Sequence, residues 1–135
     1  MKRIDPATTI RPTPEANGYL KVLKNNGAFG RMVDAYLFAA AYAIKNNVDV
    51  ASIPSQGRQD LINTGIVDDE VRLSLEAGIH AICKRNSRSE PTDSREIMEI
   101  LTQYAEAGLK LLKQRWEGKV GIQIQDDVRR IINHS

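Results

Sequence analysis

Two residues that can do chemistry stand three apart, His80 and Cys83. On a helix that spacing brings an imidazole and a thiol toward one side, as two metal ligands or as a nucleophile with its base. The rest of the chain supports neither use. A zinc site takes four ligands, or three and an open position, and the only other histidine is His134 in the terminal tail. No pattern around Cys83 marks a site that would activate a thiol. On the helical wheel Cys83 borders an apolar stripe while His80 turns toward Glu76 and solvent, so a core-edge cysteine beside a surface histidine is expected. Being single, Cys83 also excludes an internal disulfide.

The acidic residues Asp60, Asp68, Asp69 and Glu70 could gather a cation, but they lack the D-x-D-x-D-G loop pattern. Ahead of an amphipathic helix, the last three are accounted for as caps that oppose the positive end of the helix dipole. Gly27 and Gly30 are three apart, without a G-x-x-x-x-G-K-[ST] run or a preceding strand, so they do not describe a phosphate cradle. No G-x-S-x-G occurs. No catalytic residue, metal or cofactor is expected.

Basic residues form three groups: Lys84, Arg85 and Arg88; Arg129 and Arg130; and Lys110, Lys113, Arg115 and Lys119. Cations near a helix C-terminus are favoured by the dipole alone, which is sufficient for Lys84 and Arg85. Binding nucleic acid would require several groups to converge on one face, with aromatics or amides nearby. Aromatic residues make up only 5% of the chain, and the formal charge of +2 comes from 19 basic and 17 acidic residues. A solvated basic face is the preferred reading. A DNA-binding surface made of Lys84, Arg85, Arg88, Arg129 and Arg130 is the alternative.

The elements that must carry these residues are easier to read. From Ala35 to Ile44 ten apolar residues follow one another without a break. A helix that is apolar on every side belongs in a core, and this one is far short of the roughly 20 residues that cross a membrane. It predicts a hub, from about Ala28 to Lys45, that other helices wrap. Thr13-Pro14-Glu15 predicts a helix start, with a hydroxyl cap, proline at the first position and an acid in the first turn; Asn25-Asn26-Gly27 ends that helix. Val71, Leu75, Ile79 and Ile82 form the stripe of a third helix running to about Arg85.

Thr92 or Asp93 caps the longest helix, from about Ser94 to Trp116. Its apolar face runs from Ile97 through Leu101, Tyr104, Gly108 and Leu112, with Glu99, Gln103, Glu106, Lys110 and Lys113 opposite and Glu106 paired with Lys110. Gly108 lies in the middle of that apolar face, where glycine costs about 1 kcal/mol relative to alanine. Close approach by the Ala39-Ala40-Ala41 side of the hub would compensate. Ile124, Val128, Ile131 and Ile132 give a last helical stripe, although residues 120–124 alternate like a strand.

The fold class that follows is all-α: one domain of four to five helices around the alanine-rich helix, with at most a small two-stranded element between Val48 and Val67. Residues 1–13, with Pro6 and Pro12, read as an extended arm before a helical domain over 14–135. The chain has 135 residues, 41% hydrophobic and 27% charged, enough for a core without staples. The opening residues carry no apolar stretch behind their two cations, so no secretory signal is expected and the cytoplasm is the default location.

Two segments together resemble a known family. Phe29 through Val33-Asp34-x-x-Leu37-x-Ala39-Ala40-Ala41 is similar to the opening helix of the small proteins encoded beside DNA phosphorothioation systems, Dnd system-associated protein 4. Tyr104-Ala105-x-x-Gly108-Leu109-x-x-Leu112 is similar to that family's closing helix, in the same order and spacing, over residues 28–116 or so. After Lys45 the chain departs from the pattern, lacking the glycine and basic residues the family carries there. The resemblance implies a bacterial accessory protein of a DNA-modification or phage-defence operon, and it brings no catalytic residues. The expected partner is therefore a protein of such a complex, engaged through the arm and the C-terminal segment. Direct DNA contact and self-association stay open, and no membrane partner is expected.

Overall fold

The computed structural model describes residues 3–64 and 67–134. Among them the order is β1 (Thr9–Ile10), α1 (Pro14–Asn25), α2 (Met32–Lys45), β2 (Ile62–Asn63), α3 (Asp69–Arg85), α4 (Ser94–Arg115) and α5 (Gly121–Asn133). The chain is a single all-α domain, and the only sheet among the described residues is the antiparallel pair β1–β2, with Thr9 opposite Asn63 and Ile10 opposite Ile62. None of these helices is long and apolar enough to cross a membrane.

α2 is the hub. Val33, Ala35, Tyr36, Leu37, Ala39, Ala40 and Ala43 are buried, and Phe38, Tyr42 and Ile44 are partly buried against the same core. Ala41 alone of the apolar run is exposed. A methyl group has little to lose there, so one open position does not undo the helix's central place. The helix begins at Met32 rather than Ala28. Arg31 is held in extended backbone, at φ −131° and ψ 144°, and its guanidinium turns back to Asp34 at 2.8 and 3.1 Å.

The main contact in the molecule is α2 against α4. Gly108 makes it possible: a Cβ there would stand 2.0 Å from the carbonyl oxygen of Ala39 and 3.2 Å from the Cβ of Ala43. The two small residues one turn apart on α2 form the groove, and the absent side chain on α4 lets the backbones meet. Gly121, at the start of α5, does the same against the α1–α2 loop, where a Cβ would stand 1.9 Å from the carbonyl oxygen of Asn26. α5 is pinned further by Gln125, whose amide nitrogen donates to the carbonyl of Gly27 at 2.6 Å. Phe29, Phe38 and Trp116 pack together beside this junction, ring centroids 5.9 to 6.4 Å apart. The strand-like alternation of residues 120–124 gives way to helix, with Ile124 buried.

Helix ends follow local chemistry. Thr13 caps α1, its hydroxyl oxygen accepting the N–H of Ala16 at 3.1 Å. Asp93 caps α4 through the N–H of Glu96 at 2.9 Å, while the Glu96 carboxylate reaches back to the N–H and hydroxyl of Thr92. At α3, Asp68 stands at the cap without a side-chain bond to the helix, and Asp69 and Glu70 occupy the first turn.

Two expectations about the margins do not hold. The arm is not a free appendage: Ile4, Ile10 and Pro12 are buried, and the N–H groups of Gln59, Leu61 and Thr64 donate to the carbonyls of Pro12, Ile10 and Thr8. The partner of the strand at Ile62–Asn63 therefore comes from the arm, not from residues 48–53, which form no strand. The arm also changes α3. Val71 is 43% exposed, and burial begins at Leu75; Glu76 and His80, expected near solvent, are 0% and 7% exposed, Glu76 bonded to Arg3 and Ile4 of the arm and His80 to Glu90 of the α3–α4 loop.

Candidate functional site

A cleft of about 680 Å³ opens between α1, the segment 48–56 and one side of α4. Its walls are apolar, with Tyr19 from α1, Val48, Ile53 and Pro54 from the connecting segment, and Ala107 from α4. Each wall is fixed by polar bonds behind it. The Arg58 guanidinium donates to the carbonyls of Ile53 and Pro54 at 2.7 and 2.9 Å and pairs with Glu99 of α4 at 3.1 Å. Asn17 of α1 donates its amide N–H to the Gln59 side chain at 2.8 Å. The N–H of Val48 donates to the Ala43 carbonyl at 3.1 Å, which turns the chain off the end of α2.

At the back of the cleft stands Glu106. Its carboxylate accepts the Thr13 hydroxyl at 2.7 Å, the Thr13 N–H at 3.2 Å and the Tyr36 hydroxyl at 2.8 Å, so one acid joins α1, α2 and α4. Burial, and then the adjacent Glu106 charge, push the Tyr36 phenol well above its ordinary range, so it stays a donor. The pairing of Glu106 with Lys110 expected from four-residue spacing does not form among the described residues. Glu106 faces inward, and Lys110 stays on the rim with Lys113, whose ammonium lies 5.6 Å from the centre of the Tyr19 ring. Glu15 and Asp49 put negative charge on the same rim.

One buried group beside the cleft has no partner among the described residues. Gln103 lies on α4 one turn before Ala107, 8% exposed, and its side-chain oxygen is buried without a hydrogen bond. The helical pattern set this residue on the outer face. Yet all six residues from Ile100 to Ala105 are buried, because the segment 48–58 folds over the flank that would otherwise meet water. An unbroken buried stretch cannot be read from a period that alternates, so Gln103, Tyr36, Arg58 and Thr13 were not legible as neighbours.

His80 and Cys83 have a different fate from a reactive pair. The His80 ring nitrogen Nδ1 meets Glu90 at 2.9 Å, while Glu76 accepts the Arg3 guanidinium and the Ile4 N–H, both at 2.7 Å. These groups fasten the arm and the α3–α4 loop to α3. Burial pushes the Cys83 thiol up, which disfavours the thiolate that a nucleophile or ligand requires. Among the described residues no three His, Cys, Asp or Glu side chains come together as metal ligands. Of the acids that could have gathered a cation, Asp60 pairs with Arg11 at 2.6 Å and Asp69 pairs with Arg72.

The basic residues do not form one surface of bonded groups. Lys84 and Arg85 occupy the last turn of α3, with Arg88 exposed just beyond. Arg129 pairs with Asp126 at 2.8 Å, and Arg130 lies 3.8 Å from Asp127, each within α5. Arg115 is bound to Asp127 at 2.6 and 3.0 Å. Two of the five candidate nucleic-acid residues, Arg129 and Arg130, are therefore partly neutralised by acids one helical turn away.

The chain matches no known family model. No curated protein and no solved structure matches it either. The site must be interpreted from its own chemistry.

Proposed function

We propose that this chain is a non-enzymatic accessory protein that works by gripping a protein partner, within a bacterial DNA-modification system of the phosphorothioation type or a phage-defence system. The setting rests on the resemblance of residues 29–41 and 104–112 to the proteins encoded beside such systems. The mode of action rests on the cleft. It is apolar, it is framed by three elements, and its framing polar groups are spent on one another. An apolar recess with a few placed polar groups is built for binding. The arm, taken from sequence as a docking element, is already used inside the fold, so the cleft replaces it as the gripping surface.

A DNA-binding regulator is the second reading, and one observation favours it: Lys84, Arg85 and Arg88 are exposed together, with no ion pair to any of them among the described residues. The two readings separate when the tagged protein is recovered from its native cells. Ala107→Arg, which fills the cleft with a charge, should release the partner. Reversal of Lys84, Arg85 and Arg88 to glutamate should leave it bound. Binding to duplex DNA that falls steeply between 50 and 200 mM salt and vanishes in the reversed variant would establish the second reading instead.

A further inference from the structure

We infer that α3 pairs with the α3 of a second copy of this chain, antiparallel about a twofold axis at Ala77, with Glu70 of each copy meeting Lys84 of the other. The outer face of α3 is the observation that carries this. Between Glu70 and Lys84 the exposed positions are Val71, Leu73, Ser74, Ala77 and Ala81, and none of them is charged. The two charged residues in that interval are turned inward. Arg72 donates to the Thr64 carbonyl at 3.1 Å, and Glu76 is buried under the arm. Yet the chain is 27% charged, and α4 and α5 set Arg95, Lys110, Lys113, Asp126 and Arg129 on their exposed positions. The helix dipole accounts for acids at the start of α3 and bases at its end, but it gives no reason for an uncharged middle.

The order of residues on that face is its own complement when reversed. Glu70 and Lys84 stand seven residues to either side of Ala77, two turns and about 10.5 Å away. Leu73 and Ala81 stand four to either side, so the larger side chain of one copy meets the small one of the other. A twofold contact requires this match of each residue with its mirror position, and a parallel pair would set Glu70 against Glu70. Glu70 and Lys84 form no ion pair among the described residues of their own copy. Arg85 stands about 80° round the helix from Ala77, on the flank of the contact and outside it. α3 lines no part of the cleft, so self-association and partner capture are separate properties of the molecule. One helix pair is a small interface, and a dissociation constant of about 10–100 μM is expected.

Sedimentation equilibrium of the intact protein from about 5 to 500 μM measures the association across that range. Ala77→Arg sets two cations together on the axis and should leave a monomer throughout. Glu70→Lys and Lys84→Glu should each weaken the dimer about tenfold, and the double exchange should restore it to within about threefold of the parent. These positions are exposed, so circular dichroism of every variant should match the parent's. A short bis-maleimide should join Ala77→Cys into a covalent dimer, while the parent, whose single Cys83 is buried, stays unlinked. A parent that is monomeric at every concentration would overturn the inference. So would a dimer that survives Ala77→Arg, or a double exchange no stronger than the single ones, which would place the contact elsewhere or in another register. Release of a different protein by Ala77→Arg, from a chain that is monomeric, would assign the face to that protein instead.

Discussion

Gly108→Ala should cost the fold about 3 kcal/mol or more, enough to abolish a cooperative transition if the parent is of ordinary stability. A single methyl group is added to a helix interior, where alanine is intrinsically the better residue by about 1 kcal/mol. Local preference therefore predicts a gain. Packing reverses the sign, because the new Cβ would sit 2.0 Å from the Ala39 carbonyl oxygen, where backbone must move. α2 would have to lift from α4 along the largest interface of the molecule, opening voids around Ala39, Ala43 and Leu112. Gly18→Ala is the matched control. It lies within α1 with nothing within 4 Å of the added carbon, so it should stabilise by about 0.5–1 kcal/mol. Urea unfolding of both variants checks the pair; two changes of the same sign would contradict the packing described.

Asp127→Asn should cost about 2 kcal/mol at neutral pH, and the loss should fade in acid. The Asp127 carboxylate is buried against α4, accepting the Arg115 guanidinium at 2.6 and 3.0 Å and the Trp116 indole N–H at 2.8 Å. The Arg115 bond, against an opposing effect of burial, with help from Trp116 and the Arg115 charge, holds its pKa down from 3.8 to about 2. A carboxyl that is more acidic folded than unfolded contributes its stability above the unfolded value and loses it as pH falls through the folded one. A depression of this size corresponds to about 2 kcal/mol. The difference between parent and variant in urea unfolding should be full at pH 5–7, shrink from pH 4, and vanish only below pH 2. Since Asp127 ties α5 to the end of α4, amide exchange along α5 should accelerate in the variant while that of α2 does not. A gap that stays constant from pH 7 to pH 3 together with unchanged exchange would mean that the pair contributes nothing.

How far the sequence carried depended on the range of the interaction. Caps at Thr13 and Asp93, and the reach of α1 and α4, are decided within four residues, and they were legible. Gly108 was legible too, because a glycine within an apolar stripe and a run of alanines are complementary wherever they meet. Gly121 gave no such signal, since a glycine between helices is ordinary in a turn. The pairing of the arm with residues 59–64 was not readable: strands of two residues have no period, and their partners lie some fifty positions apart. From that one omission followed the misplacement of Glu76, which the arm covers, while His80 is taken inward by Glu90 of the α3–α4 loop. Glu106 was assigned to Lys110 by a rule for isolated helices, and tertiary contact with Thr13 and Tyr36 overrode it. The cleft was invisible for the same reason, because the segment 48–58 has no helical or strand pattern of its own and is held by Arg58 reaching α4.

The basic groups show how little a count of cations says about a surface. Arg115, Arg129 and Arg130 all face Asp126 or Asp127, and these two acids stand in the one helix that closes the end of the bundle. Their work is to hold α5 in place or to balance it. Lys84, Arg85 and Arg88 remain exposed without an ion pair among the described residues, as do Lys110, Lys113 and Lys119.

The most direct test of the gripping surface is site-specific photocrosslinking in the native cell. A photoreactive amino acid is placed at Lys110 on the rim of the cleft in one variant and at Arg85 in another. The expected result is one discrete protein adduct from position 110 and none from position 85. An adduct to DNA at position 85, with nothing captured at position 110, would contradict it.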